Sequence, residues 1–143
     1  MINSALCLKL DYECFSTVDL LCIDLMTGIC EFFKIGGSES IVLHGPNVET
    51  VFSVSLPVGM LPDIKVQGQA KRLDDGDIII MMSDGISEAG FGTVRTDWLK
   101  KEIKMPFDTM DEMSQSVIEN AVKKSRDAVI DDMTVATIRL IRN

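Results

Sequence analysis

LDDGDIIIMMSDGISE, residues Leu73 to Glu88, sets a turn (Asp74-Asp75-Gly76) before an uninterrupted apolar run, Ile78 to Met82, which ends at Ser83-Asp84-Gly85. Five apolar residues in a row between turn signals suit a strand buried on both faces. Periodicity alone leaves a buried helical segment open, and the glycine on either side favours the strand. In dry surroundings, a carboxylate at the end of such a strand must be paired, hydrogen-bonded or metal-bound, because an unpartnered buried charge is costly. Asp84 is therefore expected to have a partner.

Upstream, Ile64 to Arg72 alternates with a period of two: Ile64, Val66, Gly68 and Ala70 face one way, Lys65, Gln67, Gln69 and Lys71 the other. This predicts a half-exposed strand, and the Asp-Asp-Gly turn predicts that it pairs antiparallel with Ile78 to Met82. Ser55 to Pro62 holds two prolines and a glycine and reads as a loop. Val18 to Met26 is apolar on both alternating faces, and Thr27-Gly28 turns it into Ile29 to Ile35, a hairpin. Ser40 to His44, the His44-Gly45-Pro46-Asn47 turn and Glu49 to Val54 extend this into a predicted β-meander. Ile2, Leu6 and Leu10 recur at helical spacing and read as the end of a helix.

Downstream, Ile86 to Thr96 contains Gly90 and Gly92 and reads as a mobile flap, followed by a short helix near Asp97 to Lys104 that Pro106 closes. Thr109-x-x-Glu112 is a capping-box pattern. It opens a helix that carries Met113, Val117, Ala121 and Val122 on one face as far as Arg126. Asp131-Asp132 then precedes a strand, Met133 to Ile141, rich in β-branched residues. Without a repeat or linker, the 143 residues are expected to form one α+β domain with a real core.

Twenty-two acids against 14 bases give a net charge of -8, which argues against nonspecific binding to nucleic acid or anionic membrane and fits a surface that holds divalent cations. The four cysteines, Cys7, Cys14, Cys22 and Cys30, lie seven or eight residues apart, so no CxxC zinc or redox motif exists. Cys22 and Cys30, in apolar runs, are expected to be buried structural thiols. With no basic n-region after Met1 and no apolar run of transmembrane length, a cytoplasmic location is expected.

Short acidic outposts therefore stand at the ends of two predicted strands, Asp84 after one and Asp131-Asp132 before the other. If the strands are antiparallel neighbours, the exit of the first lies beside the entry of the second and the carboxylates converge. Hard oxygen ligands suit Mg²⁺ or Mn²⁺, and binuclear sites of this kind activate water for attack on phosphate. Spacing alone nevertheless favours plain turn capping, the usual role of Asp-Gly and Asp-Asp pairs. The single histidine, His44, stands before Gly-Pro with no nearby nucleophile or second ligand and reads as a surface residue. P-loop, hydrolase-elbow and Rossmann glycine motifs are absent, and no Cys is followed six positions later by Arg.

Together FSTVDLLCIDL, FKIGGSESIVLHG, LPVGML, LDDGDIIIMMSDGISE and DDMTVATIRLI span nearly the whole chain and resemble the metal-dependent type-2C serine/threonine phosphatases. SDG and DDMT in this order, with a helix between, are specific as a pair and weak singly. INSALCLKLDYECFSTVDL is most similar to the bacterial sporulation branch of that family. The resemblance implies a β-sandwich flanked by helices and two Mn²⁺ or Mg²⁺ ions that activate a water without a covalent enzyme intermediate. It matches Asp84 and Asp131 to catalytic metal ligands and Asp132 to a weaker candidate. Gly85 would serve close packing, Gly36-Gly37 and Leu56 to Leu61 structural roles, and the flap would lie near the metals. For the sporulation branch it implies a phosphorylated anti-anti-sigma factor as substrate and partner, sigma-factor activation as outcome, and a membrane-anchored parent.

One departure qualifies this. The family's early Asp-Gly strand, whose aspartate bridges the metals, and the helix after it have no counterpart here, so residues 1–143 are expected to be an N-terminally truncated, partial phosphatase domain that binds metal poorly alone. The Val18 to Met26 strand would then be an open apolar edge, which predicts a homo-oligomer. The alternative is a noncatalytic pseudophosphatase that binds a partner through the flap and the Met110 to Arg126 helix.

Overall fold

The computed structural model describes residues 2–8, 15–66, 68–89, 96–125 and 131–142. In chain order the elements are α1 (Ile2–Cys7), β1 (Val18–Ile23), β2 (Ile29–Ile35), β3 (Ser40–His44), β4 (Asn47–Val51), β5 (Gly68–Arg72), β6 (Ile78–Met82), α2 (Asp84–Ser87), α3 (Asp97–Glu102), α4 (Met110–Lys124) and β7 (Val135–Arg139). The strands form two antiparallel sheets, β1-β2-β5 and β4-β3-β6-β7, and with the helices give the expected α+β class. Two compact units result, Met1–Ser38 with Val51–Leu73, and Glu39–Thr50 with Asp74–Asn143.

In the first unit, β1 and β2 form the predicted hairpin, from Val18↔Ile35 to Ile23↔Cys30. Its turn is held by Asp24, whose Oδ1 accepts from the Met26 N–H at 2.9 Å and whose Oδ2 accepts from the Thr27 hydroxyl at 2.7 Å. The Thr27 hydroxyl, then the Met26 N–H, keep the Asp24 carboxyl below its ordinary pKa. β1 alternates in burial, with Val18, Leu20 and Cys22 exposed, so the expectation that Cys22 is buried fails: the strand's apolar residues occupy both faces, and only one is covered. Cys30 is buried, which raises its thiol pKa. Lys34, 2% exposed, pairs with Asp19 directly across the hairpin. Gly36 takes a positive φ of 67° against Pro57, where a Cβ would stand 2.5 Å from the proline ring. α1 buries no side chain and is tied down by Asn3, which donates to the Leu61 and Pro62 carbonyls and accepts from the Gly59 N–H.

β5 corrects two expectations. It pairs with β2 and lies in a different sheet from β6, so the turn Asp74 to Asp77 changes sheets and does not close a hairpin. Its phase is also reversed: Gln69 and Lys71 are half-buried while Gly68 and Ala70 are exposed. Register is the cause, because Gln69 and Lys71 oppose Phe32 and Cys30, the buried residues of β2, whereas Phe33 lies over Gly68. The change of sheet between β2 and β3 likewise splits the predicted meander into two hairpins.

In the second unit, β6 is central and buried on both faces, as its composition predicts. Ile41, Leu43, Ile78, Ile80 and Met82 form a core with Ile86, Leu99, Ile103, Met113, Val117 and Ala121. α4 begins at the predicted capping box: Thr109 Oγ1 accepts from the Glu112 N–H at 3.1 Å, and the Glu112 carboxylate accepts from the Thr109 N–H. Val122, expected on the buried face, is exposed. A polar bridge fixes α4 to β7, with Thr137 Oγ1 donating to the Met110 carbonyl at 2.9 Å and lying 2.8 Å from the Ser114 hydroxyl. His44 is half-buried with Nδ1 2.6 Å from Asp77 Oδ2, so it is a partnered structural group and not the free surface residue expected. Of the predicted flap, Ile86 and Ser87 belong to the single helical turn α2 and residues 90–95 lie outside the described residues, as do Cys14 and Arg126.

Candidate metal site

Strands β6 and β7 are antiparallel neighbours, with Met82 opposite Val135, so the exit of one adjoins the entry of the other. Just beyond the last pair, the Ser83 N–H donates to the Thr134 carbonyl at 2.9 Å. The Ser83 hydroxyl donates to the Asp132 carbonyl at 2.9 Å and accepts from the Thr134 N–H at the same distance. Neighbouring Gly85 lies so close that a Cβ there would come within 2.5 Å of the Asp132 carbonyl oxygen and 3.3 Å of that of Asp131. Asp84, Asp131 and Asp132 are thus carried on two backbone segments in direct contact.

Asp84 opens α2 after the extended Ser83 and accepts from its neighbour's N–H, Gly85 to Oδ1 at 3.1 Å; Asp131 Oδ1 likewise accepts from the Asp132 N–H at 2.8 Å. The second oxygen of each carboxylate has no protein partner among the described residues. All three aspartates are exposed. Asp84 therefore does not sit in the dry surroundings that would oblige it to have a partner; β6 is buried, but the chain reaches solvent one residue after Ser83. What joins the acidic segments is the Ser83 bridge. Ser83 and Thr134 were not singled out from sequence; the signal was a hydroxyl residue flanking each acidic motif at a strand end.

In kind, the donors fit a hard divalent cation, since carboxylate and carbonyl oxygens alone are gathered here. In number they are part of a set, because no group of three or more His, Cys, Asp or Glu able to hold an ion occurs among the described residues.

Comparison with known proteins shows the family and the fold. The family model for stage II sporulation protein E (SpoIIE) matches residues 1–141. Stage II sporulation protein E of Bacillus subtilis (strain 168) is 34% identical over 144 aligned residues, covering 99% of this chain and 17% of that protein. The solved phosphatase domain of B. subtilis SpoIIE, presoaked with Mn, superposes with a TM-score of 0.81 at 31% identity, over 99% of this chain and 64% of that one. A SpoIIE structure comprising the PP2C phosphatase domain and a fragment of the regulatory domain gives a TM-score of 0.87 at 33% identity, over 99% and 43% of the two chains. The chain thus spans about a sixth of the curated relative and just under two thirds of the solved phosphatase domain. Its fold is that of a PP2C phosphatase domain, as its SDG and DDMT motifs led one to expect. The sporulation branch, expected from the N-terminal residues, is likewise the one matched, and the chain belongs to the stage II sporulation protein E family.

Proposed function

We propose that this chain is part of a metal-dependent phosphoserine/phosphothreonine protein phosphatase, with Asp84 and Asp131 as metal ligands and Asp132 as a further donor. The observation that carries the reading is the contact between the two acidic segments through Ser83 and Gly85. Bound Mn²⁺ or Mg²⁺ supplies a Lewis acid and a water of lowered pKa for attack on phosphorus. Asp84 and Asp131 hold their carboxylates at an exposed edge, which a phosphorylated side chain on a folded protein can reach. Membership of the SpoIIE family supports a phosphorylated anti-anti-sigma factor as substrate and activation of a sporulation sigma factor as outcome. It also supports a parent protein held at the cytoplasmic face of a membrane; no described helix of this chain is long and apolar enough to cross one.

The test is Mn²⁺-dependent phosphate release from a phosphoserine protein, measured with this chain and with an N-terminally extended one. Release by the extended protein, lost on Asp84→Asn, is expected; unchanged turnover of Asp84→Asn overturns the assignment. The second reading, a noncatalytic module that binds its partner through α4 and the segment after Gly85, is favoured by the incomplete donor set among the described residues. It predicts partner binding by the extended protein with no Mn²⁺-dependent turnover.

Self-association belongs to the same proposal. β1 is the edge of its sheet, and Val18, Leu20 and Ile29 leave an exposed apolar face beside that edge. Light scattering at micromolar concentration is expected to give a mass above that of the monomer; a monodisperse monomer excludes association at this edge.

A further inference from the structure

The sheet β4-β3-β6-β7 has a concave feature at the end away from Asp84. A cavity of about 480 Å³ opens where the start of β6 and the end of β7 meet the chain after α3. Ile78, Ile103 and Met113, all buried, form its floor, and Lys104, Met105 and Arg139 line it at the surface. The volume lies within the range of about 300–1,000 Å³ typical of ligand pockets and suffices for a large apolar side chain. β6 separates the cavity from Asp84 by on the order of 17 Å of strand, so it is no part of the acidic site.

The charge at its mouth is opposite to that of the molecule. The chain carries 22 acidic against 14 basic residues, yet Lys104 and Arg139 flank this opening with no carboxylate partner among the described residues. No described carboxylate lines the opening, and of the acids next to it in sequence Asp77 pairs with His44, Glu102 with the Ser116 hydroxyl and Glu112 with the Thr109 N–H. Met105, 58% exposed, also lines the cavity and adds an apolar surface at its mouth. An arginine offers a planar fork that takes a carboxylate in two hydrogen bonds, and a lysine a point charge that accepts any acidic neighbour.

We propose that this cavity is a docking site for an acidic protein segment bearing an apolar anchor: the anchor fills the space above Ile78, Ile103 and Met113, and flanking carboxylates pair with Lys104 and Arg139. The proposal stands apart from the metal-site reading, because none of these residues belongs to the acidic segments.

Fluorescence anisotropy tests it, with a fluorescein-labelled hexapeptide in which a leucine–phenylalanine pair is flanked on each side by two glutamates. Saturable binding is expected, weakened at least tenfold by Lys104→Glu combined with Arg139→Glu and unaffected by Asp84→Asn. A peptide with lysines in place of the glutamates should not bind. No saturable binding by the unaltered protein, equal binding by the charge-reversed variant, or equal binding of the lysine peptide overturns the proposal. Should charge reversal unfold the protein, amide chemical-shift changes on the unaltered chain decide: they must centre on Ile78, Ile103 and Met113, and a different location overturns it.

Discussion

The hydroxyl of Ser83 donates to the carbonyl of Asp132 at 2.9 Å and, by accepting from the Thr134 N–H, joins the exit of β6 to the entry of β7. Ser83→Ala removes both bonds and leaves two backbone groups to find water. A loss of about 1–3 kcal/mol in stability is expected from two such bonds, and Ser83→Thr, which retains the oxygen, should recover part of it. Chemical denaturation of the three proteins checks this; an alanine variant as stable as the parent means the bridge contributes nothing.

Gly85→Ala should act through space. The added methyl carbon meets the Asp132 carbonyl at 2.5 Å, and since that neighbour is backbone, a strand end has to move. The cost of such overpacking is about 1–3 kcal/mol. Gly76→Ala serves as the comparison, for its surroundings are open and only its φ of 86° opposes a side chain, at about 1–2 kcal/mol. Only the first variant should also shift the backbone resonances of Asp131 and Asp132.

Asp19→Ala is expected to cost about 3 kcal/mol, because it removes the carboxylate that faces the buried Lys34 ammonium. Replacing the pair together, Asp19→Leu with Lys34→Met, should restore most of that loss. Thermal melts of the single and double variants separate the two outcomes, and a double variant no more stable than Asp19→Ala rejects the account.

A pH dependence follows from Asp24. Its pKa is lowered in the folded chain, first by the Thr27 hydroxyl and then by the Met26 N–H, so the folded state favours the ionised form. The resulting stabilisation is fully present above the ordinary value of 3.8 and is lost as pH falls through the lower folded value. Thr27→Ala removes the leading cause and should move the Asp24 carboxyl resonance towards ordinary behaviour in an NMR titration; an unmoved midpoint contradicts it.

Much of the second unit was legible because its signals are local or strongly patterned. The apolar run of β6 declared burial on both faces and the capping box fixed the start of α4, whereas the β6–β7 pairing entered only as the condition under which the acidic motifs would meet. Sheet membership was not legible. Asp74-Asp75-Gly76 has the composition of a hairpin turn, yet β2 takes β5 while β3 and β7 take β6, and that choice is made by partners distant in sequence. The reversed phase of β5 has the same origin: a weak alternation of Gly and Ala against Gln and Lys yields to register with Phe32 and Cys30. At the acidic site part of the reasoning was mistaken. Burial of β6 was extended to Asp84, which is exposed, and the bridging role of Ser83 depends on a main-chain contact that no composition announces.

The bond between Ser83 and Thr134 also has a meaning in time. It closes across 51 positions, whereas the β1–β2 hairpin closes across a short turn at Asp24 to Gly28. Distant closures carry the larger entropic cost and tend to come late in folding. The acidic segments therefore meet only after the final strand has been delivered, and a chain still emerging from synthesis holds Asp84 without Asp131 beside it. Pulsed amide exchange during refolding should protect β1 and β2 before Ser83; simultaneous protection would mean that the molecule assembles in one step.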